Sequence, residues 1–262
     1  MPEQLVVVIS GVGRGIGNAL ARSYLSRPNC TVVGSVRNGN TPGVAALKTV
    51  AADIGSKFLI VEIESASETD AKDAVQQMRA AGIDHIDILI ANAGVSPPIV
   101  GLETVDLASI ESAVRVNALG PLALYQACHE LLMKSSNPKF VSMSSKASSI
   151  SGMCSLNAWK APAYCISKAA LNWIAIYVRA FLVDSDMGNK TAREHMGLTK
   201  APITMEDSAE RITKLVSMTK NRMLILSFSS RLLNLTEKVE EATRDNASGK
   251  LIGATDGETI PW

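Results

Sequence analysis

The chain has 262 residues, of which 26 are basic and 25 acidic, giving a formal net charge of +1 at pH 7. This balance leaves no electrostatic footprint for nucleic acid or for an anionic membrane surface. Hydrophobic residues make up 47% of the sequence, yet no run reaches the roughly 18 to 20 apolar residues that span a bilayer. We therefore expect one domain over residues 1–262, with small-molecule partners and neither nucleic acid nor membrane binding.

The N-terminus and the cysteines favour a reduced, cytoplasmic setting. Residues 1–4 carry no basic region ahead of the first apolar run, so we predict no signal peptide. The cysteines and histidines show no paired metal-ligand spacing: Cys30, Cys128, Cys154, Cys165, His85, His129 and His195. The pattern predicts free thiols and no metal site.

Short apolar runs alternate with helix-like stretches over the first two thirds of the chain. The apolar runs predict buried strands over 5–9, 31–36, 58–61, 86–90 and 140–143. The stretches between them predict helices over 16–26, 44–52, 67–81 and 106–134. We expect the last helix to be bent or interrupted near Gly120-Pro121, because proline lacks a backbone donor. Strands joined by such helices imply a doubly wound parallel sheet covered on both faces.

The remainder of the chain is less regular. Residues 144–162 are rich in Ser, Gly and Asn and are predicted to form a loop, and a helix is predicted to start at Ala163. Beyond residue 183 the pattern indicates helices over 190–199, 206–219 and 232–243, a turn at 245–249, and short strands at 223–226 and 250–252. The last of these could close the edge of the sheet.

A glycine-rich turn, SGVGRGIG (residues 10–17), follows the first strand directly. At this place backbone N–H groups and the N-terminus of the next helix can receive a pyrophosphate. The spacing does not match G-x-G-x-x-G, but the position after the first buried strand favours a nucleotide site over a purely structural turn. The predicted cofactor-binding residues of the turn are Gly11, Gly13, Arg14, Gly15, Ile16 and Gly17.

The end of the second strand predicts which nucleotide is bound. An NAD site favours an acidic residue there for the ribose 2′-OH, whereas a 2′-phosphate favours a cation. Arg37 stands at that position, and Arg14 lies in the glycine turn. Either arginine alone would usually be a solvated surface charge, but their joint placement predicts NADP(H).

Tyr164 and Lys168 lie four residues apart in a predicted helix and therefore share one of its faces. In that arrangement the lysine charge would favour the ionised phenol, making the tyrosine a proton donor or acceptor near neutral pH. Taken alone, the pair is more often a packed ring beside a solvated charge.

With these residues the chain resembles the short-chain dehydrogenase/reductase family, over nearly its whole length and most specifically from residue 5 to about 173. The matching motifs are the turn 10–17, Asn92-Ala93-Gly94, Asn117, Met143-Ser144-Ser145 and the Tyr164–Lys168 pair. The resemblance implies a single-domain Rossmann fold with a nicotinamide cofactor. It also implies a homodimer or homotetramer.

The resemblance assigns chemical roles to four residues. Tyr164 would donate its proton to a carbonyl oxygen, and Lys168 would lower the phenol pKa and hold the nicotinamide ribose. Ser145, with Ser144 as the neighbouring alternative, would hydrogen-bond the carbonyl oxygen. Asn117 would anchor a water molecule in a proton relay through Lys168.

Other residues receive peripheral roles. Asn92, with Ala93 and Gly94, is expected beside the cofactor as a strand-end hydrogen bonder. Glu64 takes the acidic place facing the adenine or is a solvated turn carboxylate. Three large side chains are candidates to line a hydrophobic substrate pocket, although Trp173 fits equally as a core residue: Met153, Trp159 and Trp173.

The sequence departs from the family pattern in two places. Nineteen positions separate Ser145 from Tyr164, several more than usual, which suggests a longer loop beside the substrate. After the Lys168 helix, the usual sixth strand and Pro-Gly turn are shortened or missing. Either residues 176–183 serve as the strand, or, as we expect, the helix continues to about Leu182 and the sheet lacks it.

Within the family the chain is most similar to fungal norsolorinic acid ketoreductase-like and carbonyl-reductase-like members, which end in the pattern seen at Asp256–Trp262. The leading hypothesis is an NADPH-dependent ketoreductase of secondary metabolism, acting on a hydrophobic, aromatic or polyketide-like carbonyl. The alternative is a catalytically impaired nucleotide- or partner-binding relative, motivated by the shortened segment. A third reading is alcohol oxidation as the physiological direction.

Overall fold

The computed structural model describes residues 4–50, 52–136, 138–154 and 158–174, and the short segments 224–226, 251–252 and 259–260. Its strands are β1 (Leu5–Ser10), β2 (Cys30–Val36), β3 (Lys57–Glu62), β4 (Ile88–Ala91), β5 (Lys139–Met143), β6 (Leu224–Leu226), β7 (Leu251–Ile252) and β8 (Thr259–Ile260). Its α-helices are α1 (Gly15–Leu25), α2 (Pro42–Lys48), α3 (Asp70–Ala80), α4 (Leu107–Val114), α5 (Gly120–Leu132) and α6 (Pro162–Ile174). The predicted alternation of strands and helices is confirmed.

The main sheet has the order β3-β2-β1-β4-β5-β6, and all of its pairings are parallel. Val7 of β1 pairs with Val32 on one side and with Ile88 on the other. The strand order therefore reverses between β1 and β4. In doubly wound sheets a ligand crevice opens at the carboxyl ends of the strands at such a reversal.

The core explains why the central strands are rich in apolar residues. Every residue of β2, β4 and β5 is buried, as expected of strands covered on both faces. Helices contribute buried side chains at helical spacing, such as Leu20 and Tyr24 of α1 and Met78 of α3. β3 lies at the sheet edge and is largely exposed or half-buried. The hydrophobic effect therefore fixes the strands whose carboxyl ends carry the motifs.

The helix predicted over 106–134 is interrupted, as expected. Asp106 caps α4 by accepting from the Ala108 N–H at 3.3 Å. A π-helical turn, Arg115–Leu119, then separates α4 from α5. Pro121, the second residue of α5, has no N–H to continue the regular ladder, which accounts for the irregularity at this point.

The position beside β5 is occupied by a strand of three residues, β6, which comes from far later in the chain. The strand predicted over 223–226 is thereby confirmed, and the sheet edge next to β5 is short. The prediction that residues 250–252 close the sheet edge is wrong, because β7 pairs antiparallel with β8 in a separate two-stranded sheet.

The other expectations for the second half concern residues outside the described part. These are the helix continuing to about Leu182, the alternative strand over 176–183, the turn at 245–249 and the helices over 190–199, 206–219 and 232–243. α6 itself is described to Ile174. Among the described residues, no helix is long and apolar enough to cross a membrane.

Candidate active site

The glycine turn between β1 and α1 is packed too tightly for side chains at two positions. A Cβ on Gly17 would lie 2.3 Å from the Gly11 carbonyl oxygen and 2.5 Å from Asn92 Nδ2. A Cβ on Gly11, whose φ is +75°, would lie 3.0 Å from Ala93 Cα. Gly15 has a φ of +62° with nothing within 4 Å of its Cβ position. Residues 92–93 therefore pack against one side of the turn, and the backbone at Gly15 is open to an approaching ligand.

Asn92 and Ser10 hold the two strand ends together. Asn92 Nδ2 donates to the carbonyl oxygens of Ser10 at 2.9 Å and Gly11 at 3.3 Å. Ser10 Oγ accepts from the N–H groups of Asn92 and Ala93, each at 3.0 Å. Asn92 is thus a strand-end hydrogen bonder, as expected, and Ser10 is its unpredicted partner in fixing the turn.

The charged residues near the turn are exposed. Arg14 is the residue before α1, and Arg37 follows β2 directly, so both side chains lie at the carboxyl edge of the sheet. No acidic residue lies in the first turn of α1. The positive end of the α1 dipole and the two arginines thus make this edge electropositive, as a phosphate-binding site requires.

Two carboxylates lie at the end of β3, at the same edge of the sheet. Glu62, the last residue of β3, accepts from the Gly39 N–H at 2.8 Å and so reaches the turn after Arg37. Glu64 accepts from the Ala66 N–H at 3.3 Å and lines a small cavity with Ser10 and Ala93. Glu62 escaped the sequence analysis because its place opposite Val36 depends on the strand register, which the sequence does not supply.

Tyr164 and Ser145 meet at the carboxyl end of β5. Tyr164, near the start of α6, is half-buried, and its phenol is hydrogen-bonded to the Ser145 side chain. Burial raises the pKa of Tyr164 to about 12, and the Ser145 hydrogen bond only partly opposes that rise. The phenol is therefore protonated at neutral pH, in the state required of a proton donor.

Lys168 is buried one helical turn after Tyr164. Its Nζ donates to the Met143 carbonyl oxygen at 2.7 Å and lies 5.8 Å from the centroid of the Tyr164 ring. Burial lowers the pKa of Lys168 to about 8. Burial outweighs the other influences on the Tyr164 phenol and pushes its pKa upward, so the role expected of Lys168 in lowering that pKa stays a prediction.

Asn117 lies in the π-helical turn and is completely buried. Its Oδ1 accepts from the Val95 N–H at 2.8 Å, and its Nδ2 donates to Val95 O and to Ser167 Oγ, each at 2.9 Å. A Cβ on Gly94 would lie 3.0 Å from Asn117 Oδ1 and 3.6 Å from Lys168 Nζ. Asn117 therefore joins the segment after β4 to α6 through its side chain.

The main chain of Asn117 differs from that of an ordinary helical residue. The regular partner of its carbonyl oxygen would be the N–H four residues later, but that residue is Pro121. This carbonyl has no α-helical donor and is suited to accept from a water molecule.

Ser144 and Ser145 point to different partners. Ser144 Oγ donates to Asn172 Oδ1 on α6, whereas Ser145 Oγ accepts from the Ala147 N–H at 3.2 Å and contacts the Tyr164 phenol. Asn172 also donates to Ser148 Oγ at 2.5 Å. Between the two serines left open by the sequence, the geometry favours Ser145 for contact with a substrate. Asn172 and Ser148 escaped the sequence analysis because ordinary Asn and Ser carry no motif signal.

The long segment between Ser145 and Tyr164 is described except for residues 155–157 and contains two short 3₁₀ turns, Lys146–Ser148 and Ala158–Lys160. Met153 and Trp159 are 43% and 52% exposed, so both offer apolar surface in this segment. Trp173 is 82% exposed on α6, and its interpretation as a core residue is wrong.

Comparison with known proteins gives a consistent result. A family model described as short chain dehydrogenase matches residues 5–180. A Neurospora crassa protein named short-chain dehydrogenase srdF is 42% identical over 99% of this chain and 98% of its own length. An Aspergillus parasiticus protein named norsolorinic acid ketoreductase is 33% identical over 100% of this chain and 92% of its own length.

Solved structures show the same fold. The NADPH-bound carbonyl reductase from chicken fatty liver superposes with a TM-score of 0.75 at 21% identity, covering 99% of this chain and 100% of that one. The carbonyl reductase Sniffer of D. melanogaster gives a TM-score of 0.73 at 20% identity, with the same coverage. At these identities the likeness speaks for the fold alone.

Proposed function

Since this chain belongs to the short-chain dehydrogenase family and is an oxidoreductase, we propose that it is an NADPH-dependent ketoreductase acting on a hydrophobic carbonyl substrate. The observation that carries the proposal is the protonated phenol of Tyr164, hydrogen-bonded to Ser145 and one helical turn from Lys168. A bound nicotinamide supplies the hydride for the carbonyl carbon. The chain's own residues manage the proton and the developing charge.

Tyr164 is the proton donor in this proposal. A pKa of about 12 keeps the phenol protonated at neutral pH, so Oη can transfer its proton to a carbonyl oxygen as that oxygen gains charge. Ser145 Oγ, adjacent to the phenol, is placed to hydrogen-bond the same oxygen. The protonated state suits reduction. Oxidation of an alcohol would require the phenolate, which burial disfavours.

Lys168 and Asn117 return the proton to Tyr164. With a pKa lowered to about 8 by burial, the Lys168 ammonium can release a proton more readily than an exposed lysine. The Asn117 carbonyl, which receives no N–H from residue 121 because that residue is proline, would hold a water molecule beside it. These groups give the phenol a route for reprotonation from solvent.

The residues around the glycine turn fit NADP(H). Gly11, Gly15 and Gly17 let the turn backbone approach a pyrophosphate, and residues 92–93 pack against the other side of the turn. Arg14 and Arg37 would hold the 2′-phosphate. Lys168 would move from the Met143 carbonyl to the nicotinamide ribose.

The proposed substrate class rests on exposed apolar side chains in the segment that precedes Tyr164. Met153 and Trp159 lie in the long segment between Ser145 and Tyr164 and expose apolar surface. Such side chains favour a hydrophobic and preferably aromatic carbonyl compound. The relative named norsolorinic acid ketoreductase agrees with an aromatic, polyketide-like substrate.

The test is consumption of NADPH with a panel of aromatic and aliphatic ketones. We expect turnover by the wild-type protein and its loss in Tyr164→Phe, which removes only the phenol hydroxyl. Tyr125→Phe is the matched control, because Tyr125 packs against His129 and Phe140 in α5 and β5 and lies outside the site.

An equilibrium titration with NADPH distinguishes the competing interpretation. A protein that binds NADPH but reduces no carbonyl would favour the catalytically impaired binding relative. The observation that motivates this alternative is the three-residue strand β6 beside β5, in place of a longer sixth strand.

A further inference from the structure

Three consecutive residues at the end of β5 contact three residues of α6 that are spaced four apart. The Met143 carbonyl accepts from Lys168, Ser144 donates to Asn172, and Ser145 is bonded to Tyr164. Residues 164, 168 and 172 lie on one face of α6 because each is about one helical turn from the next. The site is therefore built on a seam between one strand end and one helix face.

Asn172 occupies the inner end of this seam. It is 3% exposed, and its amide uses both ends: Oδ1 accepts from Ser144 Oγ, and Nδ2 donates to Ser148 Oγ at 2.5 Å. Ser148 Oγ in turn donates to the Ser145 carbonyl oxygen at 2.5 Å. The buried Asn172 amide thus hydrogen-bonds both Ser144, which precedes Ser145, and Ser148, which lies three positions after it.

We infer that Asn172 is a positioning residue that sets where the Ser145 hydroxyl lies relative to the Tyr164 phenol. The Asn172 side chain touches neither of these hydroxyls and acts through Ser144 and Ser148. An amide supplies an acceptor for one serine and a donor for the other from two atoms of one group, without any change of protonation. The inference rests on the proposed reaction and adds to it a residue that fixes its geometry.

The buried surroundings make this arrangement stiff. Ser144 and Ser148 are 2% and 5% exposed, so water does not readily replace the Asn172 amide. Removing the amide takes away the acceptor of Ser144 Oγ and one donor to Ser148 Oγ. The acceptors that remain near Ser144 Oγ are Ser148 Oγ and the Lys168 carbonyl oxygen, both at the long distance of 3.5 Å. We therefore expect the 3₁₀ turn Lys146–Ser148 to shift so that Ser144 and Ser148 pair more closely. That turn begins at Ser145, and its movement carries the Ser145 hydroxyl away from Tyr164.

The kinetic test compares Asn172→Ala with Leu171→Val. Leu171 is equally buried in α6 but packs in the hydrophobic core and bonds to none of these serines. For Asn172→Ala we expect a fall in kcat of about 10- to 100-fold with little change in KM for NADPH, because a displacement near 1 Å has that effect on catalysis. Leu171→Val should keep the wild-type kcat per folded molecule.

A second test needs no turnover. In protein carrying ¹³Cζ-labelled tyrosine, the Tyr164 resonance, assigned with Tyr164→Phe, reports the hydrogen bond to Ser145. It should move in Asn172→Ala and in Ser144→Ala but stay in place in Leu171→Val. Ser144→Ala removes one of the two hydrogen bonds of the Asn172 amide. This variant can therefore replace Asn172→Ala in the test if Asn172→Ala folds poorly.

The outcomes separate the inference from the proposed function. If the Tyr164 resonance of both folded variants coincides with that of wild type, Asn172 does not position Ser145 and the inference is overturned. If the resonance moves but wild type reduces no carbonyl, the positioning role stands and the proposed reaction fails.

Discussion

Replacing Gly17 by alanine tests whether the turn after β1 is a cofactor cradle. Gly17 lies inside α1, where alanine is favoured over glycine by up to about 1 kcal/mol. Its Cβ, however, would lie 2.3 Å from the Gly11 carbonyl oxygen, whereas carbon and oxygen normally approach to about 3.3 Å. The backbone of the turn must therefore shift by roughly 1 Å, and overpacking of this kind costs about 1–3 kcal/mol. We therefore expect Gly17→Ala to lower the stability of the protein, although helix propensity alone predicts a gain.

The same shift should weaken cofactor binding. A turn displaced by this distance would lose about two N–H bonds to a phosphate, each worth about 1.5 kcal/mol, so the Kd for NADPH should rise about 100-fold. The assays are NADPH fluorescence titration and thermal unfolding followed by circular dichroism. A Gly17→Ala protein that gains stability and binds NADPH as wild type does would refute the reasoning.

Gly82 provides the control. It has a φ of +82° and nothing within 4 Å of its Cβ position, in the connection between α3 and β4. Gly82→Ala should lose about 1 kcal/mol or more from backbone strain. Its affinity for NADPH should be unchanged, which separates a general loss of stability from damage to the turn.

Three further predictions concern individual side chains. Arg37→Ser should weaken NADPH binding about 10- to 100-fold and leave NADH binding unchanged, because only NADPH carries the 2′-phosphate; equal losses for both would contradict this assignment. Burial lowers the pKa of His85, but the hydrogen bond to Asp84 and the charge of Asp87 outweigh it, and the pKa lies above its ordinary value. The contribution of His85 to stability is therefore full below about pH 6.5 and is lost as pH rises through the folded-state pKa, so denaturant unfolding across this range should show a decline that His85→Gln lacks. Burial raises the pKa of Cys30 and Cys128 to about 12. A thiol reagent at neutral pH should therefore react first with Cys154, which is exposed. If the fast phase of the reaction persists in Cys154→Ser, Cys154 is not the most reactive thiol.

Local patterns were sufficient to predict most of the parallel sheet. β1, β2, β4 and β5 are mostly apolar because both faces of each strand are buried, and their bounds agree within about two residues with the predictions. The interruption at residues 115–119 was predictable as well, since the chemistry of Pro121 is local. The position of β6 beside β5 was not, because pairing between residues so distant in sequence leaves no local signal.

In the candidate site, too, local motifs were predictable and contacts between distant residues were not. The motifs predicted which residues gather at the carboxyl ends of the strands, and the structure brings Ser145, Tyr164, Lys168 and Asn117 together there. The sequence favoured Ser145 but left Ser144 as an alternative, because adjacent polar residues after a strand look alike until their partners are known.

Burial was the second quantity that the sequence could not supply. A four-residue spacing indicates that Lys168 lies near Tyr164, but the net pKa of each group depends on how far it is removed from water. The structure shows both groups desolvated, which raises the pKa of the phenol and lowers that of the ammonium. Likewise, Trp173 occupies a helix face that its sequence position suggested would be buried, and it is exposed.

Transfer of deuterium tests the central claim most directly. The protein would be incubated with a reducible aromatic ketone and NADPH deuterated at the transferable position, and the alcohol product analysed by mass spectrometry. We predict one deuterium on the former carbonyl carbon with wild type and with Tyr125→Phe, and little or no product with Tyr164→Phe. A Tyr164→Phe protein that forms the deuterated alcohol at the wild-type rate would contradict the assignment of Tyr164 as proton donor.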